Sequence, residues 1–560
     1  MKQHVLIECV PNFSEGRDMA VITQITDEIK KIDGVRILDV DPGKATHRTV
    51  VTFVGHPAAV IEAAYQAIKK ASELIDMSKH SGEHPRMGAT DVCPLIPISG
   101  ISMKEAAAFA HELGKRVGDT LNIPVFMYES SATKPERQNL ATIRAGEYEG
   151  LAAKLKDPKW HPDYGTNTLN ERAGATVIGA RDFLVAYNVN LNTTSVRRAN
   201  SVAFDVRENG RINTDTKGKN LLDADGEPIR IPGACKSVKA IGWYIDEYGI
   251  AQISMNLTNI NETPLHIAFD ECCKSAQARG MRVTGSELVG LVPKSVLVDA
   301  GKHFLKQQKR SVGISEKELI HIAVRTLGLD ELSPFDPSKK VIEYLLEDKA
   351  THPLVQKSLV DFANETASES PAPGGGSISA YVGALGVSLG TMVANLSSHK
   401  IGWDDRIEYF SAKAEEGQQI KDDLLYLVDA DTNAFNKIMS AGRMPRSTDD
   451  ENIARKAAIH EAVIGAIEVP LKVMKLSLKS MNMLKEMAEN GNVNSISDVG
   501  VGAMCALTAV QGAALNVRIN CSGFDDKTFV ASVLAQADDM VHKAKVAERE
   551  IIDLVEKSIV

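Results

Sequence analysis

The chain of 560 residues is 44% hydrophobic, 24% charged and 5% aromatic, an ordinary apolar fraction with mixed charge that excludes intrinsic disorder. A formal net charge of −9 and a pI of about 5.9 exclude a general nucleic-acid binder and leave room only for local basic pockets that hold small anions. At about 150 residues per domain the length predicts three or four folding units, which together bury enough surface to need no disulfide staples.

From the N-terminus, Val5–Val10, Val35–Val40 and Thr49–Val54 read as short β-branched strands, with helices over Met19–Lys31 and Ala58–Ile75. A strand at Val92–Ile98, a helix at Met103–Leu121 and a strand at Val125–Tyr128 complete a β-α-β-β-α-β rhythm. That rhythm predicts a split βαβ subdomain, because neighbouring strands are joined by short turns. A second unit of the same kind follows: strand Phe183–Asn190, helix Ser195–Glu208, the antiparallel pair Val238–Ile245 and Ala251–Asn256, and helix Pro264–Arg279. Lys217–Ile231, rich in Gly, Asp, Lys and Asn, reads as a surface loop.

Past residue 330 the period changes. Leu332–Lys339 and the surroundings of His352–Pro353 read as a connector, after which long 3.6-residue patterns run over Arg406–Ser440, Glu451–Met481, Val493–Asn516 and Asp526–Glu556. The fold class expected is therefore α+β, two ferredoxin-like βαβ subdomains, followed by an all-α helical bundle. Pro371 to Ser398 holds no charged residue. Its length would span a bilayer, but its glycines and hydroxyl side chains and the lack of aromatic or basic anchors predict a buried helix in close contact with others. The opening MKQHVLIECVPNFSEG has too short an apolar run for a secretory signal. The seven cysteines (Cys9, Cys93, Cys235, Cys272, Cys273, Cys505, Cys521) form no CxxC pair, which supports neither a disulfide framework nor a zinc ribbon and points to the cytosol, with no membrane and no nucleic acid as partner.

Chemistry concentrates in a few stretches. In H-S-G-E-H-P-R-M-G (80–88), His80, Glu83 and His84 have ligand-like spacing, yet Gly82 and Pro85 break the helix a metalloprotease would need, so no metal is expected. His84 precedes a proline and is held extended. An imidazole with a reference pKa near ~6.5 there suits proton transfer; a structural loop histidine is the competing reading. Arg86 beside it is suited to hold a carboxylate bidentately. Val10–Gly16 and Asp39–Gly43, the latter containing Asp41, are strand-end loops of the kind that carry sites or merely turn. Asp163–Gly174 is a polar segment that either wraps a ligand or links subdomains. Pro232–Gly233, with Lys236 and Lys239 nearby, specifies no ligand by itself. In A-P-G-G-G-S (372–377), three glycines at a helix start present backbone N–H groups to an anion or carbonyl oxygen, or simply allow close packing. L-V-D-A-D (427–431) puts two carboxylates on different sides of one helix. Either they are solvated, or one faces the bundle and becomes a proton carrier through desolvation.

Taken together, ECVPNFSEG (8–16), LDVD (38–41), TFVG (52–55), GEHPRMGATDVCP (82–94), IRAGEYE (143–149), IGWYIDE (241–247), SELVGLVP (286–293) and RTLGLD (325–330) resemble the glutamate formiminotransferase family. APGGGS (372–377) and LVDAD (427–431) resemble formiminotetrahydrofolate cyclodeaminase, and the order along nearly the whole chain is that of the bifunctional formimidoyltransferase-cyclodeaminases.

The resemblance implies transfer of the formimino group from N-formimino-L-glutamate to N5 of tetrahydrofolate, then cyclisation to 5,10-methenyltetrahydrofolate with release of ammonia, within histidine degradation. Tetrahydrofolate, with or without a polyglutamate tail, is the co-substrate, and the family assembles as homo-oligomers, dimers arranged in a ring. The implied domains are residues 1–180 and 181–330 for the two transferase subdomains, 331–353 for a linker and 354–560 for the cyclodeaminase.

Residue by residue, the family's transferase histidine matches His84 and its cyclodeaminase carboxylate Asp431. The folate segment matches Gly165, Thr166, Asn167, Thr168, Leu169, Asn170, Glu171, Arg172, Ala173 and Gly174, with a further folate contact at Gly233. Asp41 and Arg86 are the expected substrate partners in the first site, and Pro373, Gly374, Gly375, Gly376 and Ser377 the folate cradle in the second. Arg197, Arg198, Lys236 and Lys239 are the further candidates for holding substrate carboxylates. The competing readings are one active half, a formyl-glutamate donor, or a non-catalytic folate-binding scaffold.

Overall fold

A computed structural model describes residues 5–43, 47–81, 85–346 and 353–559. Its contacts divide the chain into two compact units, Met1–Val296 with Leu327–Leu346, and Leu297–Thr326 with Glu347–Val560. The three or four folding units expected from length thus condense to two, the first of which contains two separate sheets.

In the first unit, β1 (Leu6–Cys9) and β2 (Asn12–Phe13) form one strand line broken at Pro11, which has no N–H to give the ladder. Then come α1 (Met19–Lys30), β3 (Val35–Gly43), β4 (Arg48–Gly55), α2 (Pro57–Leu74), β5 (Thr90–Ser99), α3 (Met103–Leu121), β6 (Val125–Glu129), the short α4 (Leu140–Arg144) and α5 (Glu147–Lys154), and β7 (Thr176–Ala180). The β3-β4-β1/β2-β5 part is antiparallel and has the expected split βαβ order. Beyond it, β7 and β6 extend the sheet in parallel. Strand β7 is a departure from the sequence reading, which assigned no strand between Val125–Tyr128 and Phe183–Asn190. All five of its residues are buried. A parallel strand covered on both faces shows no alternation, so Thr-Val-Ile-Gly-Ala carries no period to detect.

The second sheet comes from β8 (Val185–Leu191), α6 (Val196–Val206), the small ladder of β9 (Arg211–Ile212) and β10 (Arg230–Ile231), β11 (Val238–Ile245), β12 (Ile250–Leu257), α7 (Leu265–Gln277) and β13 (Val283–Val289). Its order, β11-β12-β8-β13, is wholly antiparallel and ferredoxin-like. One face carries a directed polar row. Trp243 Nε1–H donates to Gln252 Oε1 at 3.2 Å, Gln252 Nε2 to Asn190 Oδ1 at 2.8 Å, and Asn190 Nδ2 to Glu331 Oε2 at 2.6 Å. Gln252 and Asn190 are buried, and the row satisfies them.

The second unit is helical: α8 (Lys294–Gln307), α9 (Glu316–Leu327), then, after α10 (Pro337–Lys340) and α11 (Ile342–Leu346) of the first unit, α12 (Leu359–Thr366), α13 (Gly375–Ser398), α14 (Ile407–Gly442), α15 (Asp449–Asn490), α16 (Ile496–Cys521) and α17 (Lys527–Ile559). By contact, α8 and α9 group with the bundle. Val312 N–H donates to Ser411 Oγ at 2.9 Å, Asn395 Nδ2 donates to Gly313 O at 2.8 Å, and Lys302 pairs with Glu415. A capping box of Thr448 and Glu451 starts α15, which continues through Pro470.

The uncharged α13 lies in the bundle interior. A Cβ on Gly386 would stand 2.8 Å from Gly502 O, and one on Gly502 2.9 Å from Gly386 O, so α13 and α16 meet backbone to backbone. Both helices are long and apolar enough to cross a membrane, but 61% and 50% of their most apolar stretches are buried inside the protein. On the same unit, Trp403 stacks on Phe410 (5.5 Å, 12°) with Lys400 and Arg406 over its ring.

Candidate active sites

The first site is built at the turns between α2, β5 and the start of α5. Gly82, Glu83 and His84 lie outside the described residues; their flanks do not. His80 Nε2 faces the carbonyl of His47 at 3.1 Å, so that nitrogen carries the proton and Nδ1 accepts from Arg86 Nε at 3.2 Å. Burial lowers the His80 pKa, with the neighbouring His47 and Arg86 adding to the effect, and the neutral Nε2–H tautomer satisfies both bonds. The His47 ring stacks on it at 4.3 Å, nearly parallel. His47 itself meets two acceptors, Ser81 O at 2.9 Å and Glu15 Oε1 at 3.1 Å. Ser81, immediately before His84's tripeptide, is therefore held from the β3–β4 side.

On the other flank, Arg86 donates from Nη1 to Glu147 Oε2 and Glu149 Oε2 (both 2.9 Å), and from Nη2 to Glu149 Oε1 (2.7 Å) and to His80 O (3.1 Å). This corrects the expectation for Arg86. Its guanidinium is buried and its donors are spent on protein acceptors, so it holds the turn's shape and is not open to a substrate carboxylate. Loosening it has a predicted cost: Glu149→Gln should lower turnover at this centre by about tenfold or more through misplacement of the turn. A reaction carried out in the helical unit should be unchanged, and separate assays of the two units' reactions check this.

Pro85, the residue after His84, lines a cleft of about 700 Å³. Tyr128, Glu129, Arg144, Arg181, Lys239 and Asn259 are among its walls, drawn from the ends of both sheets. Arg144 is committed to the buried Asp91. Among the described residues, Arg181, which donates to Asp182 O at 2.9 Å, and Lys239 are the other cations of its lining. Of the basic residues expected, Lys239 thus reaches it, whereas Arg197, Arg198 and Lys236 are exposed and outside its lining.

The Gly165–Gly174 segment is a loop leading into β7, partly exposed up to Arg172 and buried at Ala173 and Gly174, and tied to the same turn: Met77 N–H donates to Arg172 O at 2.9 Å, Tyr148 Oη–H to Glu171 O at 2.6 Å, and Arg172 Nη2 to Glu73 O at 2.6 Å. Gly165 and Gly174 have positive φ, and a Cβ on Gly174 would stand 2.2 Å from Met87 O. Thr166, Asn167, Thr168, Leu169, Asn170 and Ala173 lie on this loop and outside the cleft lining. Gly233 is elsewhere, in a shallow hollow with Asp205, Lys274, Ser275 and Arg279. Asp41 is not at a strand end but exposed within edge strand β3, opposite Val50.

The second site is in the bundle. Both carboxylates of LVDAD are used, for different purposes. Asp429 is buried and accepts from the backbone N–H groups of Leu354 (2.8 Å) and Val355 (3.2 Å), a structural anchor. Asp431 lines a cavity of about 160 Å³ with Pro371, Ala372, Gly374, Gly375, Phe435, Asn516 and Asn520. Its pKa is raised because burial outweighs the hydrogen bonds it receives from the Ser377 side chain, at 3.2 Å, and backbone. The single Ser377 hydroxyl proton is shared between Asp431 Oδ2 and the nearer Val428 O at 2.8 Å. Gly376 is where a side chain is forbidden: a Cβ would stand 2.1 Å from Asp431 Oδ1. The APGGGS start of α13 and Asp431 are thus brought together, although Pro373, Gly376 and Ser377 themselves do not line the cavity.

Sequence reasoning missed Glu15, His47, Glu147, Glu149 and Arg181 in the first site. It also missed Asn516 and Asn520 in the second, whose i,i+4 spacing in an otherwise apolar helix was the available signal.

Two pockets, one beside a histidine-bearing turn of the α+β unit and one around the partly buried Asp431 of the helical bundle, give each unit a candidate centre. Family models match in three consecutive blocks: the N-terminal subdomain of the formiminotransferase domain over residues 6–181, the formiminotransferase domain over 186–347 and formiminotransferase-cyclodeaminase over 358–539. The formimidoyltransferase-cyclodeaminase of Gallus gallus is 41% identical over 99% of both chains. The glutamate formimidoyltransferase of Streptococcus pyogenes serotype M1 is 42% identical over 54% of this chain and 93% of its own. The methenyltetrahydrofolate cyclohydrolase of Methylorubrum extorquens is 32% identical over 36% of this chain and 98% of its own. The chain belongs to the formimidoyltransferase-cyclodeaminase family.

Proposed function

We propose that this chain transfers the formimino group of N-formimino-L-glutamate to N5 of tetrahydrofolate and then cyclises the product to 5,10-methenyltetrahydrofolate, releasing ammonia, as a step of histidine degradation. The observation that carries the reading is end-to-end similarity at 41% identity to a bifunctional relative, joined to a partly buried carboxyl of raised pKa in a cavity of the second unit. Residues 1–180 and 181–330 serve the transfer, 331–353 link, and 354–560 cyclise.

In the first step His84 takes the N5 proton as that nitrogen attacks the amidine carbon, and returns it to the departing glutamate nitrogen. Folate lies along Gly165–Gly174 with a contact at Gly233. Arg181 and Lys239 supply the positive charge that substrates rich in carboxylates require. In the second step N10 attacks the amidinium carbon. Asp431 accepts the N10 proton and passes it to the leaving nitrogen, so the C–N10 bond forms, the C–NH₂ bond breaks, and ammonia departs with the charge left on the methenyl carbon. The Gly374–Ser377 turn cradles the folate there. The protein acts in the cytoplasm as a ring of dimers.

The cyclohydrolase relative favours one alternative for the helical unit, hydrolysis of the methenyl bridge. A coupled assay with formiminoglutamate and tetrahydrofolate separates the readings. Methenyltetrahydrofolate and ammonia appearing in equal amounts is the expected result. Formiminotetrahydrofolate accumulating without ammonia removes the cyclisation, and no turnover except with formyl-glutamate changes the donor.

A further inference from the structure

The wall of the Asp431 cavity that comes from α16 is unusual in its chemistry. This helix is apolar over most of its length, yet Asn516 and Asn520 stand one turn apart on the face that meets the cavity. Both amides are oriented by a bond from nitrogen: Asn516 Nδ2 donates to Gly512 O at 2.9 Å and Asn520 Nδ2 to Ala466 O at 2.8 Å. With its nitrogen bound to a backbone carbonyl, each carboxamide keeps an oxygen that can only accept. Asn516 is also close to the glycine turn, since a Cβ on Gly375 would stand 3.4 Å from its Nδ2 and 3.9 Å from its Oδ1. Carboxylate, turn and two amides therefore enclose a small space.

We infer that Asn516 and Asn520 form the amine subsite of the cyclisation centre, their carboxamide oxygens accepting the N–H groups of the formimino nitrogen and so selecting nitrogen over oxygen as the leaving atom. The inference rests on the proposed reading of this pocket as the cyclisation site. Its chemical logic is that an amidinium presents N–H donors at the terminal atom, whereas a formyl group presents an acceptor oxygen there. Two acceptor oxygens attract the first and repel the second. During reaction they hold the NH₂ group beside Asp431 while the N10 proton is delivered to it. Ammonia then leaves from a position where it is still hydrogen-bonded.

The test uses the full-length chain with Asn516→Ala and Asn520→Ala, and Asn516→Ser as a variant that keeps an acceptor in less space. Two quantities are read: kcat/KM for cyclisation of 5-formiminotetrahydrofolate, and the inhibition constant of 5-formyltetrahydrofolate, which has no N–H at the terminal atom. Hydrogen bonds to a charged group predict a loss of about 10- to 100-fold in kcat/KM per alanine substitution, with 5-formyltetrahydrofolate binding unchanged or tighter and partial recovery in N516S. Equal weakening of both, or no effect on either, overturns the inference. Asp431→Asn run alongside isolates the underlying reading: if it leaves cyclisation intact, the pocket assignment itself is wrong, whereas loss of cyclisation in D431N with unaltered N516A and N520A defeats only the amine subsite.

Discussion

Replacing Asp431 by asparagine is expected to slow cyclisation by about 10²- to 10⁴-fold, the usual worth of a positioned proton carrier, with formimino transfer proceeding at its ordinary rate. The substitution is nearly isosteric. It keeps an acceptor oxygen for Ser377, 3.2 Å away, and the volume of the side chain that packs against Gly376. Only the ability to take up and release a proton is lost. The pH profile gives a second readout. Burial holds the Asp431 carboxyl above the ordinary aspartate range, and the proposed first act of this group is to accept the N10 proton, which requires the ionised form. Activity should therefore rise with pH through the raised pKa, with an acid limb displaced upward from that of an exposed carboxylate, and D431N should lose that limb along with the rate. Stopped assays of ammonia release against pH, in the two proteins, check both statements.

The complementary result is expected at the other centre. His84→Ala should reduce transfer from formiminoglutamate by about 10²- to 10⁴-fold, again the range for a general base and acid, while supplied 5-formiminotetrahydrofolate is cyclised normally. The frame around the site argues that this loss reflects chemistry rather than collapse. Ser81 before it is held by His47, and Arg86 after it by Glu147, Glu149 and His80. None of those bonds involves the residue being changed. Equal turnover in wild type and H84A would transfer the proton role elsewhere, and neutral His80, already committed through both ring nitrogens, is not free to assume it.

The outline of both units was readable before any coordinates, because antiparallel strands with one wet face and amphipathic helices both leave a period in the sequence. The failures have physical causes. Thr176–Ala180 is covered on both faces and carries no alternation. Arg86 was a sound guess for a substrate anchor by residue type, but its use depends on Glu147 and Glu149, about sixty positions away, which no local pattern connects to it. The two aspartates of LVDAD are nearly indistinguishable as letters, and only the packing of Leu354 and Val355 on one and of Gly376 on the other separates the anchor from the proposed proton carrier. Asn516 and Asn520 stand out in an apolar helix, yet they acquire meaning only when the cavity they border is seen.

The three tryptophans of the chain are divided between the units, Trp160 and Trp243 in the first and Trp403 in the second. Trp403 lies against Phe410 with two cations over its ring, and Trp243 gives its N–H to Gln252. Indole emission depends on such surroundings, so the chain carries an intrinsic optical label in each half. With Trp160 and Trp243 changed to phenylalanine, fluorescence follows the helical unit alone; with Trp403 changed, it follows the α+β unit. Melting of the two halves becomes separately visible in one intact polypeptide, without dyes or truncation, and the question of whether they unfold as one cooperative body reduces to comparing two emission curves.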